Sequence, residues 1–375
     1  MTRHIRIVHS VNDIDQSEWD ALIGDDDSPF VEWTWLSALE RSGCADRDSG
    51  WLGAHWLVEE HGKLIAAIPA YVRTSSEGEF VFDFAWAEAA ERMGAPYYPK
   101  LVIGVPFTPA TGARLLCVDK LQRKALIAEL APEIVKWSTQ RELGGVHVLF
   151  AAREEAEAWA NAGLLLRKHV QFHFHRNGRA TFDDYLTSLT SKRRRQIKHE
   201  IQSLRAQSIE NHWPSPQELT PEIVKIMYGF YTSTVQRHHW GNVYLNEAFF
   251  SDVATRFANR LAWVVSKRNG AIVSGAFNVK KGKTLYGRYW GCSEQIPYLH
   301  FDTCYYAGIA HALSQGCDTF EPGAGGEHKY LRGFDPTLTY SAHFIADGRL
   351  RKAIERHLVG ERAHYDAMVT HRDDA

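Results

Sequence analysis

Residues able to do chemistry gather most densely in the run EPGAGGEHKYLR, Glu321–Arg332. Gly323, Gly325 and Gly326 fall within four residues, and backbone without Cβ atoms lets its amides approach a ligand closely. Glu321, Glu327, His328 and Lys329 stand beside them. Such side chains take up protons or hold negative charge. The spacing fails the phosphate-cradling pattern G-x-x-x-x-G-K-[ST]. The bland alternative is a structural glycine turn ringed by surface charges.

A second concentration is Lys192, Arg193, Arg194 and Arg195. They open an expected helix with Ser191 as N-cap and Ile197, Ile201 and Leu204 as its buried stripe. Between Lys192 and Arg205 six basic residues face one acid, Glu200. Cations at a helix N-terminus cost about 0.3–1 kcal/mol each, so the run points to phosphate binding, against the alternative of a solvated face. A third group is His300, Asp302, Tyr305 and Tyr306. Adjacent tyrosines on a helix point about 100° apart, so one can face a site while the other is core. His300 and Asp302 read as a proton relay or as a helix cap with a bonded histidine. In QRHHWGNVY, Gln236–Tyr244, no metal-ligand spacing appears. Trp240 is instead a candidate substrate contact. In the first half, Tyr98 and Lys100 lie in a proline- and aromatic-rich stretch that continues through Val105–Gly112. Asp83 and Trp86 follow an expected strand end. These four are candidates for one wall of a groove, with an ordered structural loop as the alternative.

The elements that must position these residues recur in one order. In the second half, Leu261–Lys267, Ala271–Val279 and Thr284–Trp290 read as strands joined by Asn269-Gly270 and KKGK turns. A helix follows from Asp302 to Gly316, then a strand at Cys317–Phe320. In the first half, His55–Glu59, Leu64–Val72 and Phe80–Phe84 read as three strands. A helix follows over Lys120–Leu143, then a strand at Val146–Phe150. Meander, loop, helix, strand occurs twice, which implies an internal duplication. Glu154–Leu166 reads as a helix and Val170–His175 as a strand, and the boundary is expected near residue 165.

Bulk properties narrow the class. The chain has 375 residues, 45% hydrophobic and 23% charged, enough for two globular domains. Forty-three Lys+Arg against 45 Asp+Glu give a formal charge of −2, so any nucleic-acid or membrane contact must be local. Five scattered cysteines, never in C-x-x-C spacing, argue against a zinc site or a disulfide framework. Neither a signal peptide nor an 18-residue apolar run is evident, so no membrane span and a cytoplasmic location are expected.

Longer motifs carry a family likeness. They are PFVEWTWLSALERSG (29–43), GEFVFDFAWA (78–87), YYPKLVIGVPFTPATGARLL (97–116), LTSKRRRQIKHE (189–200), GRYWGC (287–292) and FEPGAGGEHKYLRGFDPTLTYSAHFI (320–345). Together they resemble the FemAB-like branch of the GNAT superfamily, the group described as peptidoglycan biosynthesis or recognition proteins. The resemblance implies an α/β (α+β) fold of two tandem GNAT-like domains, residues 1–165 and 166–375, each a mostly antiparallel sheet flanked by helices. It implies an N-acyltransferase that moves an acyl or aminoacyl group to a small-molecule or peptide amine without a metal. Acyl-CoA or aminoacyl-tRNA would be the co-substrate, with tRNA as a possible partner. Glu321 or His328 would then be the base, and Lys329 or the Gly323, Gly325 and Gly326 amides the oxyanion donors. Lys192–Arg195, Trp240, Tyr305, Asp83, Trp86, Tyr98 and Lys100 would hold substrate or donor. One departure stands out. Where many acetyl-CoA-dependent relatives carry R/Q-x-x-G-x-G/A, this chain has YLHFDTCY, Tyr298–Tyr305, with no glycine and with Asp302 near the helix start. An acid there repels a pyrophosphate. The alternative is a non-catalytic module of the same fold that binds a cell-wall precursor or tRNA.

Overall fold

A computed structural model describes residues 3–237 and 242–370. The chain divides into two compact units, Met1–Val170 with Thr337–Ala375, and Gln171–Pro336. The sequence reading assigned residues 337–375 to the second half; their contacts assign them to the first.

The first unit begins with β1 (Arg3–Val8), β2 (Trp51–Gly53), β3 (His55–Glu60), β4 (Lys63–Ile68) and β5 (Ala70–Arg73). It continues with β6 (Lys100–Ile103), β7 (Leu116–Cys117) and β8 (Gly145–Ala151). β9 (Leu165–His175) leads out of it. The second unit carries β10 (Ile209–His212), β11 (Val264–Arg268), β12 (Ala271–Lys281), β13 (Thr284–Cys292) and β14 (Thr319–Glu321). β15 (Asp335–Ile345) leads back.

In the first unit one long hairpin is bent in both arms. β2 and β3 are separated by Ala54, β4 and β5 by Pro69, and Ala54 N donates to Ala70 O at 2.8 Å across the bend. β3 therefore pairs β4 in one sheet and β2 pairs β5 in another. β6 runs antiparallel to β5 and parallel to β8, and β8 runs antiparallel to β15. A parallel step needs a covering crossover. The helix Arg123–Gln140 supplies it and buries Leu126, Ile127, Leu130 and Ile134 against the sheet. The second unit repeats the order. β11, β12 and β13 form a meander, β14 lies parallel to β13, and β9 pairs antiparallel with β14. Its crossover is the helix that begins at Leu299 and ends at Ser314. The duplication thus holds in strand order. The fifth strand of each unit lies apart in the chain: β15 completes the first from beyond the second unit, and the end of β9, Phe174–His175, completes the second from the start of its run.

Some expected elements moved. Phe80–Phe84 is not the third strand; Lys100–Ile103 is. Phe80 and Phe82 have φ of 60° and 54°, incompatible with extended backbone, and Asp83 turns inward to Lys100. The basic helix is capped one residue early, by Thr190, whose Oγ1 accepts from Arg193 N.

Two glycines set the packing of the second unit. Gly275 and Gly291 are register partners on β12 and β13. A Cβ at Gly291 would stand 2.0 Å from Phe230 O, and one at Gly275 would stand 2.4 Å from Met227 Sδ. The helix Pro221–Arg237 therefore lies directly on this part of the sheet. No helix among the described residues is long and apolar enough to cross a membrane.

Candidate active site in the second unit

Parallel β13 and β14 are paired only from Thr284 to Tyr286 against Thr319 to Glu321. β14 then ends in Pro322-Gly323, while β13 continues to Cys292. A β-bulge helps to part them. Phe277 pairs with Tyr289 and Asn278 with Gly287, so Arg288 is an extra residue on β13. Bulges bend a strand and re-aim its side chains. Gly287 completes the gap, since a Cβ there would come within 3.1 Å of Pro322 Cα. The result is a cavity of about 420 Å³. Its walls include Asn278, Arg288, Tyr289 and Trp290 from the sheet, His300, Cys304 and Tyr305 from the helix, and Gly325, Gly326, His328 and Lys329 from the glycine turn.

The helix wall is shaped by a π-turn over Asp302–Tyr306, in which Ala307 N donates to Asp302 O. Such turns insert a residue into the helical register and cluster at functional sites. Here Tyr305 turns to the cavity and Tyr306 away from it. Tyr305 Oη and His328 Nε2 are hydrogen-bonded at 2.9 Å. Burial, with Lys329 and Arg332 nearby, holds the His328 imidazole below its usual pKa, and burial raises that of the Tyr305 phenol. The pair is therefore a neutral imidazole beside a protonated phenol at physiological pH. His300 lies beside them, its ring 6.0 Å from that of His328. Burial and then the charge of His328, Arg332 and Lys329 push its pKa down to about 4.

The other candidates have definite positions. Lys329 lines the cavity, but its ammonium donates to Gly323 O at 2.7 Å and ties the glycine turn together. Burial lowers its pKa to about 8. Glu321 is buried on β14 opposite Tyr286 and is not among the cavity residues; of the two expected bases, His328 alone faces the cavity. Asp302 accepts from Asn211 Nδ2 at 2.7 Å and is a buried anchor. None of Lys192, Arg193, Arg194 and Arg195 lines the cavity. Arg194 donates to Leu189 O at 3.2 Å and closes the preceding helix, while Lys192 and Arg195 are exposed. The same basic helix still reaches the site's frame through Glu200. This buried carboxylate accepts from Tyr306 Oη, and Arg332 Nε also contacts Tyr306 Oη, at 3.0 Å. Arg332 in turn covers the Phe301 ring at 3.3 Å. Trp240 lies outside the described residues.

The first-half candidates form a buried ion cluster instead of a groove wall. Lys100 is fully buried and donates to Ser76 Oγ at 2.7 Å, Glu79 Oε2 at 2.8 Å and Asp83 Oδ2 at 2.6 Å. Tyr97 also donates to Asp83, and half-buried Tyr98 bonds Ser76. Burial opposes the Asp83 charge, but Lys100 and His147 outweigh it and hold the carboxyl well below its usual range. Glu79 has the reverse balance: burial prevails and pushes its pKa up to about 7. Trp86 is buried under the Arg167 guanidinium, 4.4 Å from its ring. A lysine between two buried carboxylates stays inside because each charge is compensated.

Sequence reasoning missed Asn278, Arg288, Trp290, Cys304, Glu200 and Arg332. Asn278 left a signal, as the one amide in the apolar strand AIVSGAFNV. The bulge that aims Arg288 left none. Among the described residues no group of three or more His, Cys, Asp or Glu is placed to hold a metal ion.

Comparison with known proteins supplies the family. No curated protein matches the chain. Among solved structures, FemX is similar at TM-score 0.55 and 12% identity, over 95% of this chain and 100% of that one. The C-terminal domain of an Agrobacterium fabrum protein designated a lysylphosphatidylglycerol synthetase is similar at TM-score 0.58 and 10% identity, over 94% and 97%. L-PGS from Bacillus licheniformis is similar at TM-score 0.54 and 13% identity, over 90% and 99%. At these identities the likeness is one of fold. The model of the FemAB-like family, described as peptidoglycan biosynthesis/recognition, matches residues 10–375. With two units of like strand order and a cavity where the parallel strands of the second part, the chain belongs to the FemAB-like family.

Proposed function

We propose that this chain transfers an acyl or aminoacyl group from an activated ester or thioester to an amine, in the cavity of the second unit. The observation that carries the reading is the Tyr305–His328 hydrogen bond at the parting of β13 and β14. Amine attack needs a proton acceptor, and the leaving oxygen or sulfur needs a proton. A neutral imidazole and a protonated phenol within one hydrogen bond meet both needs. The amine nitrogen forms the C–N bond, His328 takes its proton, the bond to the leaving group breaks, and Tyr305 protonates the departing atom. The cations Arg288 and Lys329 on the same walls favour the deprotonated amine and the developing negative charge.

The donor is an acyl-CoA or an aminoacyl-tRNA, and the acceptor is a small-molecule or peptide amine. The likeness to a protein designated a lysylphosphatidylglycerol synthetase supports an aminoacyl donor. The exposed Lys192 and Arg195 suit the phosphates of either donor. Mass spectrometry of reactions with candidate amines, run in parallel with acyl-CoA and with charged tRNA, tests the reading. One donor should give product. His328→Asn should lower kcat by about 10²–10⁴, and the wild-type acid limb should fall below the usual imidazole range. An unchanged rate and pH profile in His328→Asn removes His328 as the base.

A further inference from the structure

The Asn278 amide on the cavity wall keeps a buried donor without a partner among the described residues. Asn278 is 2% exposed, yet its Nδ2 has no acceptor among the described residues. On the same wall the indole Nε1 of Trp290 also lacks one. A buried donor left unmade costs stability, and a turn of the Asn278 amide toward the cavity would let a ligand oxygen satisfy it. The backbone explains why the amide is available. Asn278 sits at the bulge, paired with Gly287, and its Oδ1 lies 3.2 Å from where a Gly287 Cβ would stand. A side chain at residue 287 would cover it. Nδ2 and Oδ1 are nearly equal in volume, so a half-turn about the Cβ–Cγ–amide torsion presents either atom to the cavity. Charge selects between them. Arg288 and Lys329 line the cavity, and among the described side chains no Asp or Glu does, so these walls favour negative charge in the ligand.

We propose that Asn278 donates a hydrogen bond to the carbonyl oxygen of the acyl group in transfer and holds the oxyanion as the amine attacks. This rests on the acyl-transfer reading above. As the C–N bond forms, the carbonyl π pair moves onto the oxygen facing Asn278. When the intermediate collapses, that pair restores the carbonyl, the bond to the leaving oxygen or sulfur breaks, and the amine proton passes to His328. Nothing is oxidised or reduced.

The test compares wild type, Asn278→Asp and Asn278→Leu by kcat, KM and the melting temperature of the ligand-free protein. Loss of one oxyanion donor lowers kcat by about 10²–10³. Both variants should show that loss with KM changed by no more than about threefold. Asn278→Leu should melt at or above the wild-type temperature, because it removes a donor that has no partner. An Asp variant with wild-type or better turnover overturns the proposal, since a carboxylate accepts from an ammonium and repels an oxyanion. A Leu variant that melts several degrees low also overturns it, by revealing a structural partner for the amide. A wild-type protein that transfers nothing from acyl-CoA or charged tRNA overturns it through the acyl-transfer reading itself. An active wild type with an active Asp variant overturns the Asn278 assignment alone.

Discussion

Replacing Glu79 by Gln should stabilise the protein above neutral pH and do little below pH 5. Glu79 is buried beside Lys100 and near Asp83, and its pKa rises from 4.5 to about 7. A carboxyl whose folded pKa is raised stabilises the fold in its protonated form. That contribution is fully present below 4.5 and is lost as pH rises through about 7. The shift spans about 2.5 pH units, and at about 1.4 kcal/mol per unit the loss reaches about 3 kcal/mol by pH 8. Glutamine keeps the shape and never ionises, so the variant avoids the loss. Lys100 retains Asp83 at 2.6 Å, which leaves its charge compensated. The assay is urea unfolding of wild type and Glu79→Gln from pH 5 to pH 8, followed by tryptophan fluorescence. Most of the tryptophans, including Trp19, Trp35, Trp51, Trp56 and Trp86, lie in the first unit with Glu79. The difference in stability should grow toward about 3 kcal/mol in the variant's favour as pH rises. A variant that is less stable by the same amount at every pH would refute the reasoning. Glu79 would then be ionised throughout, and its bond to Lys100 would outweigh its burial.

Two glycine variants should differ in sign. Gly291→Ala places a Cβ 2.0 Å from Phe230 O and should cost about 3 kcal/mol in thermal unfolding. Gly360→Ala lies in the exposed face of the helix Gly348–Thr370 with nothing within 4 Å, and should gain about 1 kcal/mol. Changing Lys192 and Arg195 together to Gln should raise the donor KM; with a tRNA donor it should also lower the log–log salt slope by about 1.4–1.8. Unchanged KM and slope would leave these residues as a solvated helix face.

The order of the elements was legible because periodicity and turn chemistry are local. Asn269-Gly270 gives a hairpin whatever the rest of the chain does, and the stripe Ile197, Ile201, Leu204 gives a helix. What was not legible depends on distant partners. The run FVFDF alternates like a strand, but Asp83 is needed by Lys100 and Tyr97, and the chain bends to deliver it. Residues 337–375 follow the second unit in sequence, yet β15 completes the sheet of the first. In the site, the glycine turn and its charged neighbours were found because glycine clusters are visible in any sequence. The fate of each charge was not. Lys329 is spent on Gly323 O and Glu200 on Tyr306, and both bonds exist only in the folded chain.

The two units keep different things at the same place in the duplicated frame. Both units place two parallel strands side by side with a crossover helix between them, so both inherit a place where those strands can part. In the first unit, β6 stops at Ile103 and the chain from Gly104 to Ala110 turns inward, with every residue buried. Val105 and Phe107 are core, Gly104 packs near Leu149, and this ordered stretch fills its own unit. Lys100, Glu79 and Asp83 then compensate one another inside the unit, each nearly fully buried. In the second unit the corresponding strand carries Gly287 and the bulged Arg288, and the strand beyond the crossover gives way to a glycine turn held by Lys329. Small residues keep the gap open there, and among the described residues Arg288 and Lys329 bring positive charge to its walls. At this place one copy of the frame is filled by core, and the other keeps a cavity.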